Sequence, residues 1–133
     1  MIVLDASAVV DVLLDRPNAD WVRAQLHDQA LSAPAHQPAE VISAVARLIR
    51  AGQLGATTAL DVIAEFSQLP QTLINPTRDH LQRALALQPR VRVVDGLYVA
   101  LAEALTCPLV TTDLKLARSG LPIEVHAPDP PRE

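Results

Sequence analysis

Ile2-Val3-Leu4-Asp5-Ala6-Ser7-Ala8-Val9-Val10 stands at the start of the chain and carries the fold. Three apolar residues in a row, too few for a helix, make a strand buried on both faces that ends on an acid. Ser7 to Leu14 then reads as a helix, and Pro17 ends that segment. The same alternation continues outward. Asn18 caps a second helix reaching Gln29. Ala30 to Ala33 is a short strand before Pro34. Pro38 to Ala51 is an amphipathic helix with Val41, Ile42, Val45, Leu48 and Ile49 at helical spacing, closed by Gly52 and Gly55. Ala56 to Phe66 is another helix, apolar on more than one face. Thr72 to Ile74 is a strand, and Thr77 caps a helix to Leu87. Pro89 to Val94 is a connector and Gly96 to Leu105 a helix. Leu109 to Thr111 is a strand, Leu114 to Ser119 a short helix, and Ile123 to Val125 a last strand. Short apolar strands alternating with helices predict an α/β fold, a parallel sheet sandwiched by helices. Residues 1–127 form a single domain, and the proline-rich segment 128–133 is a loose tail.

Composition narrows the class. Half of the 133 residues are hydrophobic and 20% are charged, enough for a sizeable core and unlike a disordered chain. The core must be aliphatic, because Trp21, Phe66 and Tyr98 are the aromatics. One cysteine, Cys107, excludes an internal disulfide and a cysteine-rich zinc site. No apolar run is long enough to span a membrane, and no signal-peptide pattern is present; the expected location is cytoplasmic. The net charge of −4 argues against a general polyanion-binding surface. It leaves room for a carboxylate cluster with arginines beside it. Lys115 is the only lysine.

In parallel sheets the functional site lies outside the carboxyl ends of the strands, where strand order switches. Asp5 follows the first strand and Asp113 follows the strand Leu109 to Thr111. Asp95 stands at the start of the helix that precedes that strand. Glu40 stands early in the helix that follows the strand Ala30 to Ala33. An Asp at a helix start is ordinarily an N-cap, and a helical Glu ordinarily a solvated charge. Independent caps need not all fall on one sheet edge, and these four acids do. Packed carboxylates raise each other's pKa unless cations sit among them, and oxygen-only ligation selects Mg2+ or Mn2+. Ser7 and Thr112 are hydroxyls beside the acids, read as caps or outer partners that orient them. Lys115, one turn from Asp113, is the cation best placed for a phosphate. The histidines have no metal spacing and most read as surface residues; His36, four residues before Glu40, is the one placed to approach the site. Tyr98 is expected to pack one turn after Asp95, with stacking on a base as its alternative role.

Four segments resemble the PIN-domain family, and its VapC-type toxin ribonucleases in particular. They are Val3 to Val10, Ala39-Glu40-Val41 with the helix after it, Asp95 to Glu103, and Leu109 to Asp113. The resemblance covers nearly the whole chain in order and spacing. It implies a parallel sheet between helices and an acidic quartet that matches Asp5, Glu40, Asp95 and Asp113. Implied with it are Mg2+ or Mn2+ as cofactor, hydrolysis of RNA phosphodiesters by an endoribonuclease, and a cognate antitoxin that silences it. Gly96 stands where the family usually has a residue such as alanine. Leu114, Lys115 and Leu116 follow Asp113 where some members carry another acid for a second metal.

Other classes fit less well. A haloacid dehalogenase-type phosphotransferase needs an acid where Ser7 stands. A receiver domain needs adjacent acids near the start and a lysine after its last strand. A structure-specific flap nuclease needs a longer chain and more acids. The alternatives that survive are a PIN nuclease of RNA maturation outside a toxin pair, and a non-catalytic RNA-binding PIN module. A homodimer is expected from Ala59, Leu60, Val62, Ile63 and Phe66, more apolar surface than one packed face of that helix requires. The antitoxin is expected in a groove between the helices Pro38 to Ala51 and Ala56 to Phe66, as amphipathic segments bind elsewhere.

Overall fold

In the computed structural model, which describes residues 1–131, the opening apolar run forms β1 (Ile2–Leu4) at the centre of the sheet. Side chains of a strand alternate between faces. Ile2 and Leu4 therefore enter one core, with Val9, Val22, Val41 and Val110, while Val3 enters a second with Tyr98, Val99, Leu101 and Leu109. Both faces of β1 are closed to water, which is why it contains no polar residue.

The helices follow in order. On the first core lie α1 (Ala6–Leu13), α2 (Ala19–Leu26) and α3 (Gln37–Arg50), with α4 (Ala56–Ser67) packed against α3. On the second lie α5 (Arg78–Ala86), α6 (Val93–Leu105) and the one-turn α7 (Leu114–Ala117). The remaining strands are β2 (Leu31–Pro34), β3 (Gln71–Ile74), β4 (Leu109–Val110) and β5 (Val125–His126). All pair in parallel, in the order β3-β2-β1-β4-β5. Fully buried Gln37 ties α3 to the sheet, donating to the Leu4 carbonyl at 2.9 Å and pairing with the Gln71 amide.

The fold is the parallel sandwich expected, with local differences. α6 begins three residues before Gly96. Val93 and Val94 read as connector because β-branched residues are modest helix formers, but buried Val91 anchors the chain just before the helix and Arg92 takes its N-cap position. The last strand starts two residues later than expected and ends one residue later. Pro34 ends β2 inside the strand rather than after it. Asn18 occupies an N-cap position without a side-chain capping bond, whereas Thr77 forms a full capping box with His80. The apolar surface expected of α4 is smaller than its sequence suggests. Ala59 and Val62 are buried against Val45, Phe66 packs on the first core, and only Leu60 and Ile63 of the five are exposed. Residues 128–131 have no regular structure, and Pro128 is buried; residues 132 and 133 of the expected loose tail lie outside the described residues.

Candidate active site

From β1 the chain builds outward through β2 and β3, then crosses back to lay β4 and β5 on the other side of β1. The connections leaving β1 and β4 therefore run to opposite sides of the sheet and leave a crevice between them. Asp5 follows β1 directly, and Asp113 follows β4 after two threonines. Glu40 lies in the first turn of α3 and Asp95 in the first turn of α6. All four acids line one cavity of about 360 Å3, together with Ser7, Thr112, Arg47, Arg92 and the pair that Arg16 makes with a fifth acid, Asp11 of α1, at 3.6 Å.

The inner wall is built on β1 and β4. Asp5 is only 5% exposed. It occupies the N-cap position of α1, yet its side chain makes no capping bond. Its Oδ2 instead accepts from the Ser7 hydroxyl at 2.6 Å and the Thr111 hydroxyl at 2.7 Å. The same hydroxyl oxygens accept in turn, Ser7 Oγ from the Thr112 N–H at 3.1 Å and Thr111 Oγ1 from the Asp113 N–H at 3.0 Å. One carboxylate thus fixes the loop after β4. Burial pushes the Asp5 carboxyl up to about 6; the two hydroxyls pull it down, and the charges of Asp95 and Glu40 push it up.

The outer wall is built from helix starts. Asp113 is exposed and does cap its helix, its Oδ1 accepting from the Lys115 and Leu116 N–H groups, both at 3.1 Å. Asp95 is no cap. It is the third residue of α6, and the Arg92 guanidinium lies against it, Nε at 3.1 Å and Nη2 at 3.4 Å. That pairing raises the Arg92 pKa further above its ordinary value. Glu40 Oε1 accepts from the Tyr98 hydroxyl at 2.8 Å and faces His36 Nε2 at 3.3 Å. Burial pushes the Glu40 carboxyl up, but the bonds from His36 and Tyr98 and the charges of His36 and Arg92 outweigh it and hold it below the usual range. Burial, followed by the charges of Asp5 and Glu40, pushes the Tyr98 hydroxyl up.

Several expectations change or sharpen here. His36 does approach the site: its Nε2 reaches both Glu40 and the Val94 carbonyl at 3.1 Å, so that nitrogen carries the proton, and its ring meets Tyr98 edge-on at 5.0 Å. Tyr98 is fully buried, which leaves no face for a base. Lys115 does not line the acid cavity but an adjoining groove. Thr111 and Arg92 were not singled out by sequence. The only signal for Thr111 was a second hydroxyl at the end of the strand; Arg92 offered none beyond its place three residues before Asp95.

The donor set fits Mg2+ or Mn2+: carboxylate oxygens from four elements, one of them on a buried acid whose ionisation a cation would favour. Among the described residues no three acids stand together as a ready-made cation cage. Two of the four explain this locally, since Arg92 holds Asp95 and the N–H groups of α7 hold Asp113.

Two grooves adjoin the acid cavity. One, of about 470 Å3, shares Arg92, Asp95 and Asp113 with it and adds Gln88, Arg90, Lys115 and Ser119. The other, of about 530 Å3, shares Arg16 and runs between Leu13 and Leu14 at the end of α1, Leu48 of α3, and Asp61, Val62 and Glu65 of α4. The groove expected between α3 and α4 is thus present, with the end of α1 as a third wall.

Comparison with known proteins agrees with the fold and extends over nearly all of it. The family model for the PIN domain matches residues 2–120. Ribonuclease VapC12 of Mycobacterium tuberculosis is 40% identical over 119 residues, covering 90% of this chain and 92% of that protein. Ribonuclease VapC3 of the same organism is 42% identical over 121 residues, covering 89% and 86%. Among solved structures, FitAcB from Neisseria gonorrhoeae superposes with a TM-score of 0.71 at 19% identity, over 94% of this chain and 96% of that one, which is a likeness of fold. Taken with the parallel sheet and its order, these matches place the chain in the PIN domain family, among its VapC-type members.

Proposed function

We propose that this protein is a metal-dependent endoribonuclease, the toxin of a toxin–antitoxin pair, acting through Asp5, Glu40, Asp95 and Asp113. The observation that carries the reading is the convergence of these four acids, each from a separate element, on one cavity at the switch point of the sheet, where the fifth acid, Asp11, is already paired with Arg16. The names of the VapC relatives support the activity, and toxin–antitoxin complexes among the structural neighbours support the pairing.

Asp5, Asp95 and Asp113 would hold Mg2+ or Mn2+. When bound, the cation supplies a Lewis acid that activates water for in-line attack on a phosphodiester and stabilises the leaving oxygen. Ser7 and Thr111 fix Asp5 before substrate arrives, so no reorganisation is needed at that carboxylate. Glu40 is held ionised by Tyr98 and His36. A carboxylate below its usual pKa is a weak base, which favours orienting the water or sharing the cation over abstracting a proton. Attack forms one P–O bond, breaks the bridging P–O bond, and passes a proton to the departing oxygen.

The antitoxin would occupy the α1–α3–α4 groove with an apolar face, and a basic residue beyond it would enter the carboxylates by way of Arg16. A homodimer belongs to the same reading, now with Leu81 and Leu85 of α5, both more than half exposed, as apolar surface besides Leu60. The deciding experiment is incubation of the purified protein with total cellular RNA, with and without Mg2+ or Mn2+, followed by mapping of new ends. New ends that require the cation are expected; none with either cation overturns the reading.

A further inference from the structure

This inference rests on the ribonuclease reading and concerns Arg92. Its side chain is 73% exposed, yet it lies along Asp95, which is 13% exposed, with two guanidinium nitrogens on the two carboxylate oxygens. Glu40 and Asp113 also act on Arg92 through their charges. A protein cation therefore covers one of the acids of the cavity. An exposed pair of this kind is weak and exchanges readily.

Arg92 lines the acid cavity and the adjoining groove alike. That groove carries Arg90 and Lys115. Arg90 is anchored by donating to the Gly120 carbonyl at 2.7 Å, and Lys115 stands exposed. The groove on the other side of the cavity carries Asp15, Asp61 and Glu65 against the single Arg16. A polyanion leaving the acid cavity is repelled by the second groove and attracted by the first.

We propose that Arg92 is an exchangeable side chain of the site, which holds Asp95 while the carboxylates lack a cation and turns to an RNA phosphate in the Arg90–Lys115 groove once a divalent cation takes Asp95. The exchange needs no backbone movement. Arg92 accepts the Gly96 N–H at 2.9 Å through its carbonyl, so the helix start stays fixed while the side chain rotates. A cation on Asp95 repels the guanidinium and supplies the charge that the guanidinium supplied. The freed fork matches two phosphate oxygens, a geometry that lysine cannot reproduce.

The test uses the full chain with Arg92→Ala, Arg92→Lys and, as a control on the exposed end of α3, Arg50→Ala. Calorimetric titration with Mn2+ in the absence of RNA reads the first half of the exchange. Arg92→Ala removes a competitor and is expected to bind Mn2+ a few-fold more tightly, with Arg50→Ala unchanged. Binding of a mixed-sequence single-stranded RNA, with Ca2+ replacing Mn2+ to hold cleavage back, reads the second half. Arg92→Ala is expected to weaken it about ten-fold and to flatten the dependence of log K on log salt by about 0.7, one phosphate contact on a single strand. Arg92→Lys is expected to restore the salt slope with only part of the affinity. Unchanged Mn2+ affinity and an unchanged slope in Arg92→Ala overturn the inference while leaving the ribonuclease reading intact. Failure of the unsubstituted protein to bind Mn2+ or RNA overturns both.

Discussion

The two walls of the carboxylate cavity are built in opposite ways. On the inner wall Asp5 is buried, held by two hydroxyls, and pushed up in pKa. On the outer wall Asp113 is exposed and Asp95 lies under the exposed Arg92, and each already has a partner, one in helix N–H groups and the other in that guanidinium. A buried acid fixes a position and opposes folding while it is charged. An exposed, satisfied acid contributes little to stability either way and can change partner. The inner wall sets the geometry, and the outer wall is where exchange takes place.

The largest effect expected is a matched pair of substitutions. Asp5→Asn and Asp113→Asn should each lower RNA cleavage by at least about 100-fold, since each removes a charged ligand. Their effects on stability should differ. The Asp5 carboxyl moves from an ordinary 3.8 to about 6 in the folded protein. Between those values the folded state keeps a proton that the unfolded state has lost, so stability falls as pH rises through this window. Above it the full opposition remains, about 3 kcal/mol from a shift of this size. Asp5→Asn should therefore stabilise the metal-free protein at pH 7 by up to that amount and make no difference below pH 4, read by urea unfolding in a chelator. Asp113→Asn should change stability by less than about 0.5 kcal/mol, because asparagine caps a helix as well as aspartate. Equal stability changes for the two would erase the distinction between the walls.

Next in size is Thr111→Val, which keeps the shape and removes the hydroxyl. It leaves Asp5 with Ser7 alone and the Asp113 N–H without its acceptor. A loss of about 1–3 kcal/mol is expected for that unpaired group, and about a ten-fold loss of cleavage from the loosened acids. Melting and initial rates measured on one preparation check both. Full activity with a lowered melting temperature would show that the hydroxyl serves folding and not the site.

What was legible in the sequence follows from how local each feature is. The strand Ile2 to Leu4, the acid after it and the helix period of α3 are written in adjacent residues, and the parallel sandwich follows from them together with the four-segment resemblance, whereas the strand order is seen only in the fold. Thr111 acts on Asp5 across 106 residues and Tyr98 on Glu40 across 58, so their partners are properties of the folded chain. His36 is closer to Glu40, a single helical turn, but its second partner, the Val94 carbonyl, lies 58 residues away. The start of α6 at Val93 is not written locally, because two β-branched residues open the helix and the core that Val91 enters exists only in the fold.

Gly96 gives the smallest expected effect and the most direct conflict between local and tertiary terms. Within a helix, glycine to alanine is worth about 1 kcal/mol in favour of alanine, so the sequence alone predicts that Gly96→Ala stabilises α6. In the fold, a Cβ at Gly96 would stand 3.2 Å from both Cα and the carbonyl oxygen of Ala84 and 3.3 Å from its Cβ. Those atoms belong to the backbone and first side-chain atom of α5, which is docked on α6 and cannot yield as a flexible side-chain tip would. Displacing α5 also disturbs the pair that Arg83 makes across to Glu103, Nε at 2.9 Å. The packing loss is expected to exceed the helix gain, for a net destabilisation of about 1 kcal/mol. Asp95 precedes Gly96 in the chain, so cleavage should fall a few-fold with it, while the inner wall and its pH dependence stay as they are. A raised melting temperature for Gly96→Ala would mean that α5 yields freely, and that the outer wall rests on a looser support than its packing indicates.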